Sequence, residues 1–249
     1  MAFLFHNFFY APLYNGLILF INIIPFHSVG LAVVLFTCII KVIIFPLSQK
    51  SVRTQFEMKQ IEPELNELKL KYKDDKKAQA EKTMELYKKR GINPFAGILL
   101  MLIQLPILIA LYWVFLKGGL PHIDQTTIYS FTKIPSIINM NFFSISVGDK
   151  SVVFAIFVAI AQFLQMHITL PKKNTNLGQD DKKSGLADSL GKSMNMQMKY
   201  VMPIIMFFIA KSFPLVVSLY LITSSLFAIG QELYVRSKYK KNTVQVVIK

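Results

Sequence analysis

Lys41 is the residue of this sequence whose setting most demands a chemical explanation. It lies thirteen residues after Ser28 and five before Pro46, inside an apolar stretch rather than at its edge. A charge at mid-span costs about 2.5–3.5 kcal/mol on insertion scales and usually marks a function. Two accounts fit: the ammonium faces a polar cavity, or its long stem lifts it toward the headgroups. Thr37 at i−4 and Ser48 at i+7 share the Lys41 face of a helix, with Cys38 beside them. Other apolar stretches carry polar residues too: Gln104 alone, Gln162 and Gln165 three apart, and Tyr220, Thr223, Ser224 and Gln231 along one side of the last. Singly, each is ordinary hydrogen-bonding between helices. Together they can line the cavity that an intramembrane cation needs.

Other chemistry is not legible. Glu232 is the only carboxylate within the apolar stretches, so no acidic proton relay can be read. His6, His27, His122 and His167 are scattered without metal-ligand spacing, and Cys38 is the one cysteine. No phosphate-binding glycine loop, dinucleotide fingerprint, GxSxG or HExxH is present. The reading is a protein that is not an enzyme and uses no cofactor or metal.

The elements that must position these residues follow from composition. Of 249 residues 53% are apolar and only 17% charged, which excludes a disordered chain and a soluble bundle with a polar exterior. The charges fall in blocks. Residues 50–93 hold twelve basic and eight acidic side chains, 171–199 six and three, and the tail from Arg236 five basic ones. Between the blocks lie apolar stretches, most of them near the ~20 residues that cross a bilayer. One helix over 200–235 would run roughly 54 Å, so Lys211–Pro214 reads as a tight turn between two spans.

Five spans result: 28–50, 93–117, 151–170, 196–211 and 213–235. All three basic blocks then share one side, whereas the opposite loop, 118–150, carries only Lys133 and Lys150. The positive-inside rule places the blocks, the loop 171–195 and the tail 236–249 in the cytoplasm, with the N-terminus outside. Residues 1–27 are apolar but interrupted by Pro12, Asn15, Gly16, Asn22 and Pro25, and lack a basic n-region. They read as an interfacial helix along the outer leaflet rather than a sixth span or a signal peptide.

Residues 51–92 read as a cytoplasmic helical hairpin. Phe56, Ile61, Leu65, Leu68 and Tyr72 recur at helical spacing. Asp74-Asp75 make a turn or N-cap, and a second helix over about 76–89 ends at Gly91. Asn93 caps the next span, with Pro94 in its first turn. Arg53, Lys59, Lys69, Lys73, Lys88, Lys89 and Arg90 form a basic contact surface on this hairpin.

Against this background, IIKVIIFPLSQKS at 39–51 and LYKKRGINPFAGILLMLIQLPILIALYW at 86–113 resemble the YidC-type membrane protein insertases, relatives of the Oxa and Alb proteins. MQMKYVMPIIMFF at 196–208 and FPLVVSLYLITSSLFAIGQELYVR at 213–236 continue the likeness in order. The resemblance implies an all-α polytopic membrane protein, with five spans around a hydrophilic groove open to the cytoplasm and to lipid. The groove's positive charge, normally Arg in that family, falls at Lys41. Lys keeps the charge but loses the planar fork of donors. The large extracytoplasmic domain and first span of some members have no counterpart here, so a minimal core, natural or a fragment, is the expectation.

The function implied is insertion of nascent membrane proteins into the plasma (inner) membrane by a single copy of the chain. The ribosome, the Sec translocon and membrane lipids are the implied partners, without sequence-specific nucleic acid. The basic tail reads as positive-inside anchoring. The alternative is a small secondary transporter or lipid scramblase using the same cavity.

Overall fold

A computed structural model of the chain describes residues 2–93, 96–116, 120, 122–169 and 186–247; for 2, 59, 96–101, 103, 116, 186–198 and 239–247 it describes the backbone only. The described residues are almost wholly helical: α1 (Ala2–Phe5), a π-helical turn (His6–Tyr10), α2 (Ala11–Ile23), α3 (Val29–Gln60), α4 (Glu62–Lys71), α5 (Lys76–Lys89), α6 (Ala96–Leu116), α7 (Val152–Thr169), α8 (Leu186–Ser212) and α9 (Leu215–Val247). A two-stranded hairpin, β1 (Asn141–Phe142) and β2 (Ile145–Ser146), lies between α6 and α7. Among the described residues, four stretches are helical, long and apolar enough to cross a membrane: Phe3–Ile23, Val29–Met58, Val152–Thr169 and Leu215–Lys238; Gln104–Phe115 is a shorter apolar helix.

Several boundaries differ from those read in the sequence. The first apolar helix does not stop at residue 50 but runs through Pro46 to Gln60. At 32 residues it is about 48 Å long, well beyond ~30 Å of hydrocarbon. The break falls at Ile61 (φ −92°, ψ 3°), because Pro63 in the first turn of α4 has no N–H to continue the ladder. Phe56 and Leu65 therefore belong to different helices. The fourth apolar helix begins at Leu186 rather than 196, and the last continues through the basic tail to Val247.

The N-terminal interruptions also prove milder than their residue types suggest. Pro12 has no N–H to offer the carbonyl of Phe8, and the chain absorbs this in the π-turn, where Ala11 N–H donates to His6 O. Asn15 and Asn22 remain helical, their Nδ2 donating back to Ala11 O (2.8 Å) and Ile18 O (3.2 Å). Only at Ile24–Pro25 does the helix end.

The chain divides into two compact units: Met1–Val42 with Pro106–Glu232, and Ile43–Leu105 with Leu233–Lys249. In the first unit the segment after α6 is stapled to the N-terminal helix. Asn15 Nδ2 also donates to Thr127 O (2.8 Å), and its Oδ1 accepts from the Tyr129 amide (2.7 Å). The Tyr14 hydroxyl accepts from the Asp124 amide (2.8 Å), and Asn22 Nδ2 donates to Lys133 O (2.5 Å). Phe5 and Tyr10 pack their rings on Trp113 of α6. On the other side, a Cβ on Gly16 would come 2.5 Å from Phe36 Cζ, so only glycine lets α2 and α3 approach this closely.

The same segment closes onto two further helices, α3 and α9. Asn139 exchanges backbone hydrogen bonds with His27 and Val29 at 3.0 Å, and Phe142 covers Gly30. Leu215 N–H donates to Asp149 O (2.7 Å) and Val216 N–H to Val147 O (3.0 Å), which supplies acceptors for the first turn of α9. Within it, the Asp124 carboxylate accepts from the Thr126 hydroxyl and amide and the Thr127 hydroxyl, which holds its pKa below the ordinary value.

In the second unit α4 and α5 form the hairpin. Asp75 caps α5, its carboxylate accepting from the amides of Lys77 and Ala78 at 3.0 Å. At the far end Arg90 is the C-cap and Gly91, at φ 66°, follows it. Gly91 N–H to Lys88 O (3.1 Å) and Ile92 N–H to Tyr87 O (2.9 Å) complete a Schellman motif. Pro94, read as the start of the next span, lies outside the described residues.

Candidate functional site

The polar residues that the fold brings together lie in the first unit on α7 and α9, and Thr37 and Lys41 lie on α3 of the same unit. Small side chains make the gathering possible: Ala155 and Val158 of α7 and Ala210 of α8 form a buried contact, with Met206, Phe207, Leu221 and Ile222 packed around it. Along α9, buried polar side chains form a stripe. Ser218, Ser225 and Glu232 recur every seven residues, with Ser224 and Gln231 beside them, and all five are under a tenth exposed. Seven residues are close to two helical turns, so these groups share one side of the helix.

Ser225 Oγ donates to Gln162 Oε1 at 3.2 Å, which ties the stripe to α7. Ser218 Oγ is fully buried and has no hydrogen-bond partner among the described residues. Tyr220 and Ser224 are buried, whereas Thr223 and Gln165 are half-buried. On α3, Thr37 is buried, and its hydroxyl donates to Val33 O at 2.6 Å. That bond is spent on the backbone of its own helix. Lys41, one turn further along, is half-buried.

Two expected groove residues, Ser48 and Gln104, fall in the second unit. Ser225 was the omission. Its seven-residue spacing from Ser218 and Glu232 was readable in the sequence, but a serine in an apolar helix carries little signal until its neighbour is known.

On the hairpin, part of the expected basic surface is already engaged. Arg53 Nε lies 2.7 Å from Glu57 Oε1, and Arg90 pairs with Glu64 between α4 and α5. Lys69, Lys73, Lys88 and Lys89 are exposed, and the Lys59 side chain lies outside the described residues. Glu64, Glu67, Leu68, Lys71 and Leu86 line a shallow depression between the two helices. Burial raises the pKa of Tyr87 near the end of α5. Among the described residues no cluster of His, Cys, Asp and Glu could hold a metal ion.

Residues 20–242 match the family described as 60Kd inner membrane protein. Proteins named membrane protein insertase YidC, from Francisella tularensis subsp. novicida (strain U112), subsp. tularensis (strain SCHU S4 / Schu 4) and subsp. holarctica (strain LVS), are each 32% identical over 211 residues. Those alignments cover 85% of this chain and 33% of each relative. The chain therefore spans about a third of the length of the curated relatives it matches. With a match over most of its length and helices apolar enough to cross a bilayer, this multi-pass membrane protein belongs to the 60Kd inner membrane protein family, the YidC/Oxa group.

Proposed function

We propose that the chain is a membrane protein insertase that takes nascent hydrophobic segments into a polar intramembrane groove open to the cytoplasm and releases them sideways into lipid. The observation that carries this reading is the buried polar stripe of α9, joined to α7 through Ser225 and Gln162, in a chain whose relatives are named insertases. A passenger's polar residues lose several kcal/mol each when they face hydrocarbon. Hydroxyl and amide groups partway across the bilayer lower that cost, and the charge of Lys41 attracts acidic passenger segments. The membrane potential and burial of the passenger's own apolar span then drive its release. The hairpin's exposed lysines meet the nascent chain, ribosome or Sec translocon, and one copy suffices.

The topology belongs to the same reading. The five spans keep the N-terminus outside and the C-terminus in the cytoplasm. Although Phe3–Ile23 is long enough to cross, Tyr14, Asn15 and Asn22 bond to the irregular segment 124–133 along its length. Irregular backbone does not run through hydrocarbon against lipid. That pairing supports a helix lying in the outer interface.

The test is reconstitution of the purified chain in liposomes with a short single-span passenger, scored by protease protection. Insertion above protein-free vesicles is the expected result. Solute or lipid flux in passenger-free vesicles, with no insertion, would replace the proposal with a transporter or scramblase. Cysteines at Ser136 and Lys82 in a Cys38→Ala chain should label from opposite sides; labelling from the same side would overturn the topology.

A further inference from the structure

Two turns at the same end of the first unit place a phenylalanine where backbone geometry asks for glycine or asparagine. In the first, His27 N–H closes onto Ile24 O at 3.1 Å, with Pro25 second and Phe26 third at φ 64°, ψ 4°. That is a type II turn, whose third position takes a positive φ. In the second, the two residues between β1 and β2, Phe143 and Ser144, have φ 46° and 65°. That is the two-residue hairpin turn for which Asn-Gly is the favoured pair. Neither ring is buried by the strain: Phe26 is 81% and Phe143 83% exposed.

The two turns are locked into one edge. Asn139 bonds to His27 and Val29, and Phe142 seats on Gly30 and beside Phe154. Exposed apolar side chains flank that edge at the helix ends, while Asn141, Ser144, Asp149 and Lys150 keep the hairpin and its link to α7 in contact with polar surroundings. Ile23 ends α2 next to Phe26, Leu31 begins α3, and Val152 and Val153 begin α7 beneath the hairpin, all exposed. These are ends of membrane-crossing or interfacial helices, so their exposed side chains face lipid. On surfaces that lie in the membrane interface, Phe side chains bury into the boundary between headgroups and acyl chains.

We propose that Phe26 and Phe143 are a pair of membrane-interface anchors, inserted at the boundary between headgroups and acyl chains of the leaflet at the α2–α3 end. The partner is the lipid surface itself. Left-handed backbone there turns each ring outward, away from the protein, and the rings fix how deep the segment 120–150 rides. This role does not depend on insertase activity.

The probe is a cysteine at the exposed Ser144 in a Cys38→Ala chain, carrying a polarity-sensitive fluorophore and reconstituted in vesicles without other protein. This leaves both phenylalanines in place. Lipids with a nitroxide at headgroup depth should quench the probe several-fold more than aqueous iodide does, and more than lipids labelled deep in the acyl chain. The pair Phe26→Ser and Phe143→Ser should move the probe into water and reverse the order of quenching. Phe26→Tyr with Phe143→Tyr, which keeps interfacial rings, should not. Iodide quenching equal to that of a probe at Lys82 in the charged hairpin would overturn the proposal. So would protection from iodide that appears only when a passenger or another protein is added.

Discussion

Ser225 on α9 donates its hydroxyl to Gln162 Oε1 on α7 at 3.2 Å, joining two helices that also meet in the apolar cluster of Ala155, Val158, Leu221 and Ile222. Hydrogen bonds between membrane helices average about 0.6 kcal/mol in double-mutant cycles and reach about 1.7. Ser225→Ala and Gln162→Leu should therefore each lower stability by roughly this much. Their combination should fall short of the sum by about the same amount. Unfolding of the reconstituted or detergent-solubilised chain measures it. Strict additivity would mean that the two groups act independently.

Asn15 carries a larger share of one contact. Its amide donates to Ala11 O and Thr127 O and accepts from the Tyr129 amide, all while 3% exposed. Asn15→Leu keeps the branched shape of the side chain and removes all three bonds. Each backbone group left buried and unsatisfied costs about 1–3 kcal/mol. The Tyr129 amide should lose hydrogen-exchange protection by at least tenfold, with α7 and α9 little affected. Unchanged protection at Tyr129 would show that the segment is held by other contacts.

Asn15 also marks what the sequence could convey and what it could not. The charge blocks, the apolar stretches and a turn within Lys211–Pro214, which the structure narrows to Phe213–Pro214, were legible because burial in hydrocarbon and the bilayer's thickness act on every residue of a span. Asp75 and Gly91 were legible because caps are local. Asn15 and Asn22 were read as interruptions, since only the fold brings Thr127, Tyr129 and Lys133 to their amides. The break at Ile61 was masked because its apolar spacing stays helical on both sides of Pro63. The seven-residue stripe on α9 needed Gln162 beside it before Ser225 stood out.

Asp124 makes the segment after α6 sensitive to acid. Hydrogen bonds from the Thr126 hydroxyl and amide, then from Thr127, hold its pKa below the ordinary value. A group whose folded pKa is depressed contributes stability above its unfolded pKa, near ~3.9 for Asp, and loses it as pH falls through the folded value. Exchange protection at Thr126 and Thr127 should thus be flat from neutral pH down to about 5, then fall below about 4. Asp124→Asn keeps one oxygen to accept from the Thr126 amide and hydroxyl, turns the Thr127 hydroxyl into an acceptor of its Nδ2, carries no titrating proton and should flatten the acid limb. A loss already evident between pH 7 and 5, or an unchanged acid limb in Asp124→Asn, would assign the effect to another group.

Lys41 offers the sharpest test of the groove, because its substitutions should be asymmetric. If the charge serves to attract acidic passenger segments, Lys41→Arg retains or improves insertion. The guanidinium stays ionised in a poorly hydrated cavity and presents donors that match a carboxylate. Lys41→Met keeps the apolar stem and removes the charge, so passengers with acidic translocated tails should suffer most and near-neutral ones least. Lys41→Glu should be worst, since it repels those tails and places a carboxylate where a cation stood. The measurement is protease protection across passengers that differ only in tail charge, at equal amounts of folded protein. Equal insertion of every passenger by Lys41→Met and by the unaltered chain would leave the long stem reaching for the headgroups as the better account of this residue.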